Sequence, residues 1–188
     1  MIRLFSAQNI KYFIFLCISF GLAGALFAVG VQDETNKEEV VKGKVKVFLT
    51  DHREAIDDFY SLVVEVDKIR FHKKDFVPGK GWIDVDCEKK IFDLTQYKDG
   101  KLFQLVEVEL FEGKYDAIEL LISEAYGTPE GESELSIPVD IGIVRMIFAI
   151  SPKQTLKLIL DLTVLDVSDH PGKKWVIILK EIRKQVIG

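Results

Sequence analysis

Acidic side chains gather in two places along the chain, and their types and spacing come nearest to a chemistry. Asp51, Glu54, Asp57 and Asp58 lie in one short segment, while Asp84, Asp86 and Glu88 alternate through another that begins at Trp82. Grouped carboxylates supply the hard oxygen ligands that calcium takes, and an aromatic ring beside such groups can stack on a sugar or a partner. Asp51, Asp57, Asp58 and Trp82 are therefore the candidate ligand-binding residues. The spacing argues against a dedicated calcium loop, because no Asp-x-Asp-x-Asp-Gly run occurs. Asp84 and Asp86 fall on one face of an extended strand, where a solvated edge accounts for them. Calcium or small-ligand binding stands as a second reading, and no other cofactor is expected.

Other reaction chemistries find less support. The three histidines, His52, His72 and His170, form no His-x-x-x-His pair, and no Cys-x-x-Cys pair accompanies them. No Gly-x-Ser-x-Gly elbow and no glycine-rich phosphate loop opening a helix is present. Paired carboxylates for glycoside hydrolysis depend on a separation in space that spacing along a chain does not give, so a glycan-acting hydrolase stands third. Of the two cysteines, Cys17 lies in a hydrophobic segment and Cys87 sits alone, which excludes a disulfide within the domain. Asp86 and Glu88 flank Cys87 and raise its pKa, so it is expected as a small buried apolar residue and not as a nucleophile. Aromatic rings at Trp82 and Trp175 are expected mainly as core residues. A non-enzymatic protein is the expectation.

Charge narrows the partners. Net charge is −5, with Arg3 and Lys11 ahead of the first acidic residue, Asp33, so the rest of the chain is more acidic still. Basic residues are interspersed with acidic ones, as in Glu181-Ile182-Arg183-Lys184, which disfavours a surface that tracks nucleic-acid phosphates.

The elements that must position these residues begin after a targeting segment. Residues 12–31 carry no charge and follow Arg3 and Lys11. As a helix at 1.5 Å per residue they would span roughly 30 Å, the thickness of a bilayer core, whereas a cleaved signal has an apolar stretch of about 7 to 15 residues. Length favours an uncleaved signal anchor, and Ala23-Gly24-Ala25 offers a signal-peptidase pattern, so residues 1–31 are read as signal peptide or signal anchor. Basic residues before the run and acidic ones after it place the remainder outside the cytoplasm. Leu16 before Cys17, with apolar sequence continuing beyond, excludes a lipobox. Residues 32–41 read as a charged linker, and residues 42–188 as the folded domain.

Period-two alternation dominates that domain. Val45, Val47 and Leu49 alternate with Lys44, Lys46 and Phe48, and Leu62, Val64 and Val66 open a second run that breaks at Pro78-Gly79-Lys80-Gly81. Further strands are expected over 82–87, 91–94, 102–111, 115–126, 135–139, 143–150, 155–167 and 174–182. Asp99-Gly100 suits the positive φ of a tight hairpin. Residues 54–60 hold at most one turn of helix. About eight or nine strands at such spacing predict an all-β fold, an antiparallel β-sandwich preceded by an N-terminal hydrophobic helix.

The ordered series Gly43-Lys44-Val45-Lys46-Val47-Phe48-Leu49-Thr50-Asp51, Trp82, Phe92-Asp93-Leu94, Phe111-Glu112-Gly113-Lys114-Tyr115-Asp116-Ala117-Ile118-Glu119-Leu120 and Leu158-Ile159-Leu160-Asp161-Leu162 resembles the family known as domain of unknown function 4382. The resemblance covers roughly residues 42–184. It implies an exported protein, often a lipoprotein in the family, with a β-sandwich similar to transthyretin-like and collagen-adhesin B-type modules, and it assigns no activity. This chain departs from it in lacking a lipobox and in carrying His52 after Leu49-Thr50-Asp51.

Read on physics alone, Asp51 and Asp161 are expected to cap turns or accept backbone N–H groups. Gly113 suits positive φ, and Tyr115 is expected to bury its ring while its hydroxyl ties down a nearby loop. The functional expectation is a non-catalytic module at the cell surface, membrane-anchored through residues 12–31 or secreted, contacting a cell-envelope protein or glycan.

Overall fold

A computed structural model describes residues 41–188 apart from 53, 75–80 and 170–173. The hydrophobic segment, the linker up to residue 40, the Pro78-Gly79-Lys80 break and His170 lie outside the described residues. Among those described, no helix is long and apolar enough to cross a membrane.

Alternating β-branched and leucine residues form the strands. In chain order they are β1 (Lys42–Asp51), β2 (Phe59–Lys73), β3 (Trp82–Asp93), β4 (Phe103–Phe111), β5 (Gly113–Pro129), β6 (Leu135–Ser136), β7 (Val139–Asp140), β8 (Val144–Ile150), β9 (Thr155–Asp166) and β10 (Trp175–Ile187). Single 3-10 turns cover Ala55–Asp58 and Leu94–Tyr97. The first sheet has the order β4-β1-β9-β10-β7; in the second, β3-β2-β5 continues to β6, and β8 pairs with β5 further along.

The expected all-antiparallel pairing is corrected here. β1 and β9 run parallel, with Val47 opposite Leu158, and β10 runs parallel to β7. The cause is connectivity. β8 belongs to the second sheet and ends beside Gly113, at the end of the sandwich where β1 begins. The chain crosses to the first sheet there, so β9 leaves from the same end as β1 and must run with it. The structure also joins the two short runs expected at 82–87 and 91–94 into the single strand β3, extends β10 to Ile187, and splits 135–139 into two-residue strands.

Val45, Val47, Leu49, Leu62, Val64, Leu158, Leu160 and Leu162 are fully buried between the sheets, at roughly 1.5–3 kcal/mol each against an exposed state. Bulges keep this face apolar. Against β5, Asp67 is the extra residue between the Val66 and Lys68 pairings, and it returns Ile69 and Phe71 to the core face. Leu105 plays the same part opposite Val47 and Phe48. Trp175 is buried with its ring edge-on to Phe59 at 4.9 Å, the core placement expected of it.

Two ends of the sandwich follow. Residue 41 enters at one, the entry pole, together with the end of β2 and the turns 111–113 and 151–154. The distal pole holds both 3-10 turns, the start of β2 and the loop after β5.

Candidate functional site

The sequence-predicted site residues divide between the poles. Asp57 and Asp58 close the 3-10 turn that precedes β2, whereas Trp82 opens β3 opposite His72, near the other end of β2. Roughly 45 Å of extended strand separates them at 3.3 Å per residue, so they share no site. Asp57 pairs with Lys98 at 2.5 Å, and the Asp58 carbonyl accepts the Glu130 N–H at 2.8 Å. Asp51 is buried at the end of β1 beside Leu162. Among the described residues no group of His, Cys, Asp and Glu is arranged to hold a metal ion.

At the distal pole the structure builds a different polar centre. Asp161 projects from β9 onto the outer face of the first sheet, opposite Thr50 on one side and Glu181 on the other, and is nonetheless buried. Its Oδ2 lies 3.5 Å from both His52 Nδ1 and Arg183 Nη2. Asp161 thus meets side chains, not the backbone N–H groups expected of it, and burial pushes its carboxyl pKa up against the pull of His52 and Arg183. The turn cap is Asp93, whose Oδ1 accepts from the N–H groups of Leu62 and Thr95 at 3.0 Å each.

Trp82 stands on the outer face of the second sheet, half-buried, in a ladder of side chains that crosses three strands. Arg70 on β2 donates to Asp84 of β3 at 2.9 Å and to Glu119 of β5 at 2.7 Å, which fixes its guanidinium 4.9 Å from the Trp82 ring centroid. His72 packs against the same ring at 5.0 Å, and its Nδ1 lies 2.6 Å from Asp116 Oδ1. The Arg70 hydrogen bond, with help from Lys68, holds the Asp84 carboxyl below its ordinary range. Alternation explains the assembly: Arg70 and His72 are two apart on β2, and the cross-strand pairs Arg70–Asp84, Arg70–Glu119 and His72–Trp82 share one face. Trp82 was legible as a candidate; Arg70, His72, Asp116 and Glu119 were not, because their convergence depends on register with β3 and β5.

Cys87 is buried, and burial, more than its acidic neighbour Asp86, pushes its thiol up to about 11. It borders a shallow depression of about 240 Å³ between the free edges of β3 and β4, with Leu105 and Val106 at its side and Asp86 and Glu107 among its lining.

A family model, described as a domain of unknown function (DUF4382), matches residues 42–180. The chain belongs to the DUF4382 family. That match starts at the first residue of β1 and ends within β10, so the family pattern spans both sheets. No curated protein matches. Among solved structures the DUF4382 chain is similar to a crystal structure of a "putative cell adhesion protein" from Bacteroides eggerthii, at 12% identity and a TM-score of 0.36, covering 78% of this chain and 54% of that one. The chain thus spans about half the length of that protein.

Proposed function

We propose that this DUF4382 domain is a non-catalytic module of the cell envelope, exported by its N-terminal segment, that contacts a glycan through the outer face of its second sheet. The observation that carries this is the Trp82 ladder. One indole, one imidazole and one guanidinium are set side by side by three carboxylates on neighbouring strands, with Arg70 held from both sides. Arrays of this kind offer a sugar both a ring to stack on and fixed donors and acceptors, and their pre-ordered side chains lose little freedom on binding.

The test is binding of the purified protein to a surface-polysaccharide array and to isolated cell-wall material, beside Trp82→Ala and Arg70→Ala. Wild-type binding that falls at least about tenfold in both variants, a loss of about 1.4 kcal/mol, supports the reading. Equal binding by all three proteins, or none by the wild type, overturns the glycan face.

A further inference from the structure

Charge is segregated between the two ends of the sandwich. Exposed Asp57, Asp58, Asp99, Glu130, Glu132 and Asp169 outnumber Lys98, Lys101 and Lys174 at the distal pole, whereas Lys42, Lys44, Lys74, Lys114, Lys153 and Lys157 gather at the entry pole. Topology produces this: the ends of β2 and β4 and the starts of β1, β5 and β9 all meet at the entry pole, and each contributes a lysine or lies within three residues of one. Glu109, Glu112 and Asp116 are the acidic counterweights there. Lys44 pairs with Glu107, but Lys42, Lys74, Lys114 and Lys153 make no ion pair among the described residues. Among the described residues, this end of an acidic protein thus carries a group of lysines with no ion partner.

Two further features lie at that pole. Phe111 is 38% exposed with the ammonium groups of Lys42 and Lys73 at 5.5 and 5.7 Å from its ring centroid, and Val41 is exposed next to it. Lys42, Lys44 and Lys153, with Glu109, also line an open basin of about 280 Å³. Lysines around an exposed aromatic ring suit the boundary between lipid headgroups and water, where the ring takes the apolar side and the ammonium groups take phosphate. The chain leaves the domain at this same pole toward the uncharged run 12–31, with the segment 32–41 between them.

We propose that the entry pole docks on an anionic lipid surface, so that the domain stands with its basic end against the membrane and its acidic end outward. Each lysine near such a surface gains from its negative potential, within a Debye length of about 10 Å at 0.1 M salt. The inference rests on the export given under the proposed function, taken with the signal-anchor form of residues 12–31 expected from the sequence.

The test uses the full chain reconstituted into vesicles of phosphatidylcholine alone or with phosphatidylglycerol, followed by flotation and brief amine acetylation read by mass spectrometry. Lys42, Lys74, Lys114 and Lys153 are expected to label roughly three- to tenfold less in the anionic vesicles than in the neutral ones. Lys101 and Lys174 at the distal pole should label alike in both. The difference should vanish near 1 M salt, where screening shortens to about 3 Å, and in the exposed double variant Lys114→Glu, Lys153→Glu. Flotation with equal labelling in both lipids sinks this inference and leaves the anchor standing. A chain that floats with neither sinks the anchor and this inference with it.

Discussion

The Tyr115 hydroxyl donates a 2.8 Å hydrogen bond to the carbonyl oxygen of Phe111, across the turn that carries the chain from the first sheet to the second. Gly113 makes the turn, at φ 132°, and the Tyr115 ring is fully buried and stacked on Phe148 at 5.3 Å. Tyr115→Phe keeps the ring and leaves the carbonyl without this donor, so unfolding in urea should register a loss of about 1–2 kcal/mol. Tyr115→Ala removes the ring as well and should cost about 3–5 kcal/mol. Equal stability of Tyr115→Phe and wild type would show that the bond does not hold the crossover.

Two buried acids set an alkaline limit. Burial raises the Tyr115 hydroxyl from 10.0 to about 12 and the Cys87 thiol from 9.0 to about 11. Both keep their protons more tightly folded than unfolded, so their contribution is complete below pH 9 and is lost as pH climbs through 11 and 12. Melting temperature should be level from pH 7 to 9 and fall steeply above it, and Cys87→Ala should delay the onset of the fall.

Gly43 admits no side chain. A Cβ there would lie 2.5 Å from the Ser151 carbonyl oxygen and 2.6 Å from the Ile150 side chain, where the β8–β9 crossover passes over β1. Because the obstacle is backbone, Gly43→Ala must push the crossover away, at about 1–3 kcal/mol. Gly142→Ala, whose Cβ meets nothing within 4 Å, is the control and should be nearly neutral in the same denaturation series.

Asp161 should behave in the opposite sense to an ordinary ion-paired carboxylate. Its pKa is raised above 3.8, chiefly by burial, so the native state favours the protonated acid. That favour is complete below the unfolded pKa and is lost as pH rises through the folded one, leaving a buried charge at neutrality. Asp161→Asn is expected to raise the melting temperature at pH 7, with the gain closing towards pH 3. A lower melting temperature for the variant at pH 7 would mean that the His52 and Arg183 contacts outweigh burial.

Local patterns in the sequence carried the elements, and non-local pairing decided what they became. Val45, Val47 and Leu49 alternate so regularly that β1 could be read from them alone, and they are all fully buried. Asp99 and Gly100 do take positive φ, 64° and 77°, yet they join no hairpin, because β3 pairs with β2 and β4 with β1. The dipeptide states what the backbone does at two residues and nothing about which strands flank it. Leu105 was invisible for a related reason: a bulge is defined against a partner strand, and Val47 lies far away in sequence. The candidate site followed the same division, with Trp82 legible as a residue type while Arg70 and Asp116 emerge only from register.

Calcium should leave the distal pole unmoved. Asp57 is the most favourably placed carboxylate of the first acidic segment, being 60% exposed on its 3-10 turn, but it is held by Lys98 at 2.5 Å; Glu54 likewise pairs with Lys180 across the pole. A cation would have to displace both ammonium groups and draw in Asp58, whose turn is tied by its carbonyl to Glu130. Binding to the folded state raises stability in proportion to ligand excess over Kd, so even a site of Kd near 0.1 mM would add about 1.4 kcal/mol at roughly 1 mM calcium, a shift of several degrees in a domain of this size. The expected shift at that concentration is under about one degree, matched by magnesium and abolished by added salt, as general screening of an acidic surface requires. A calcium-specific rise of several degrees that disappears in Asp57→Asn would establish a site that the Lys98 pairing conceals.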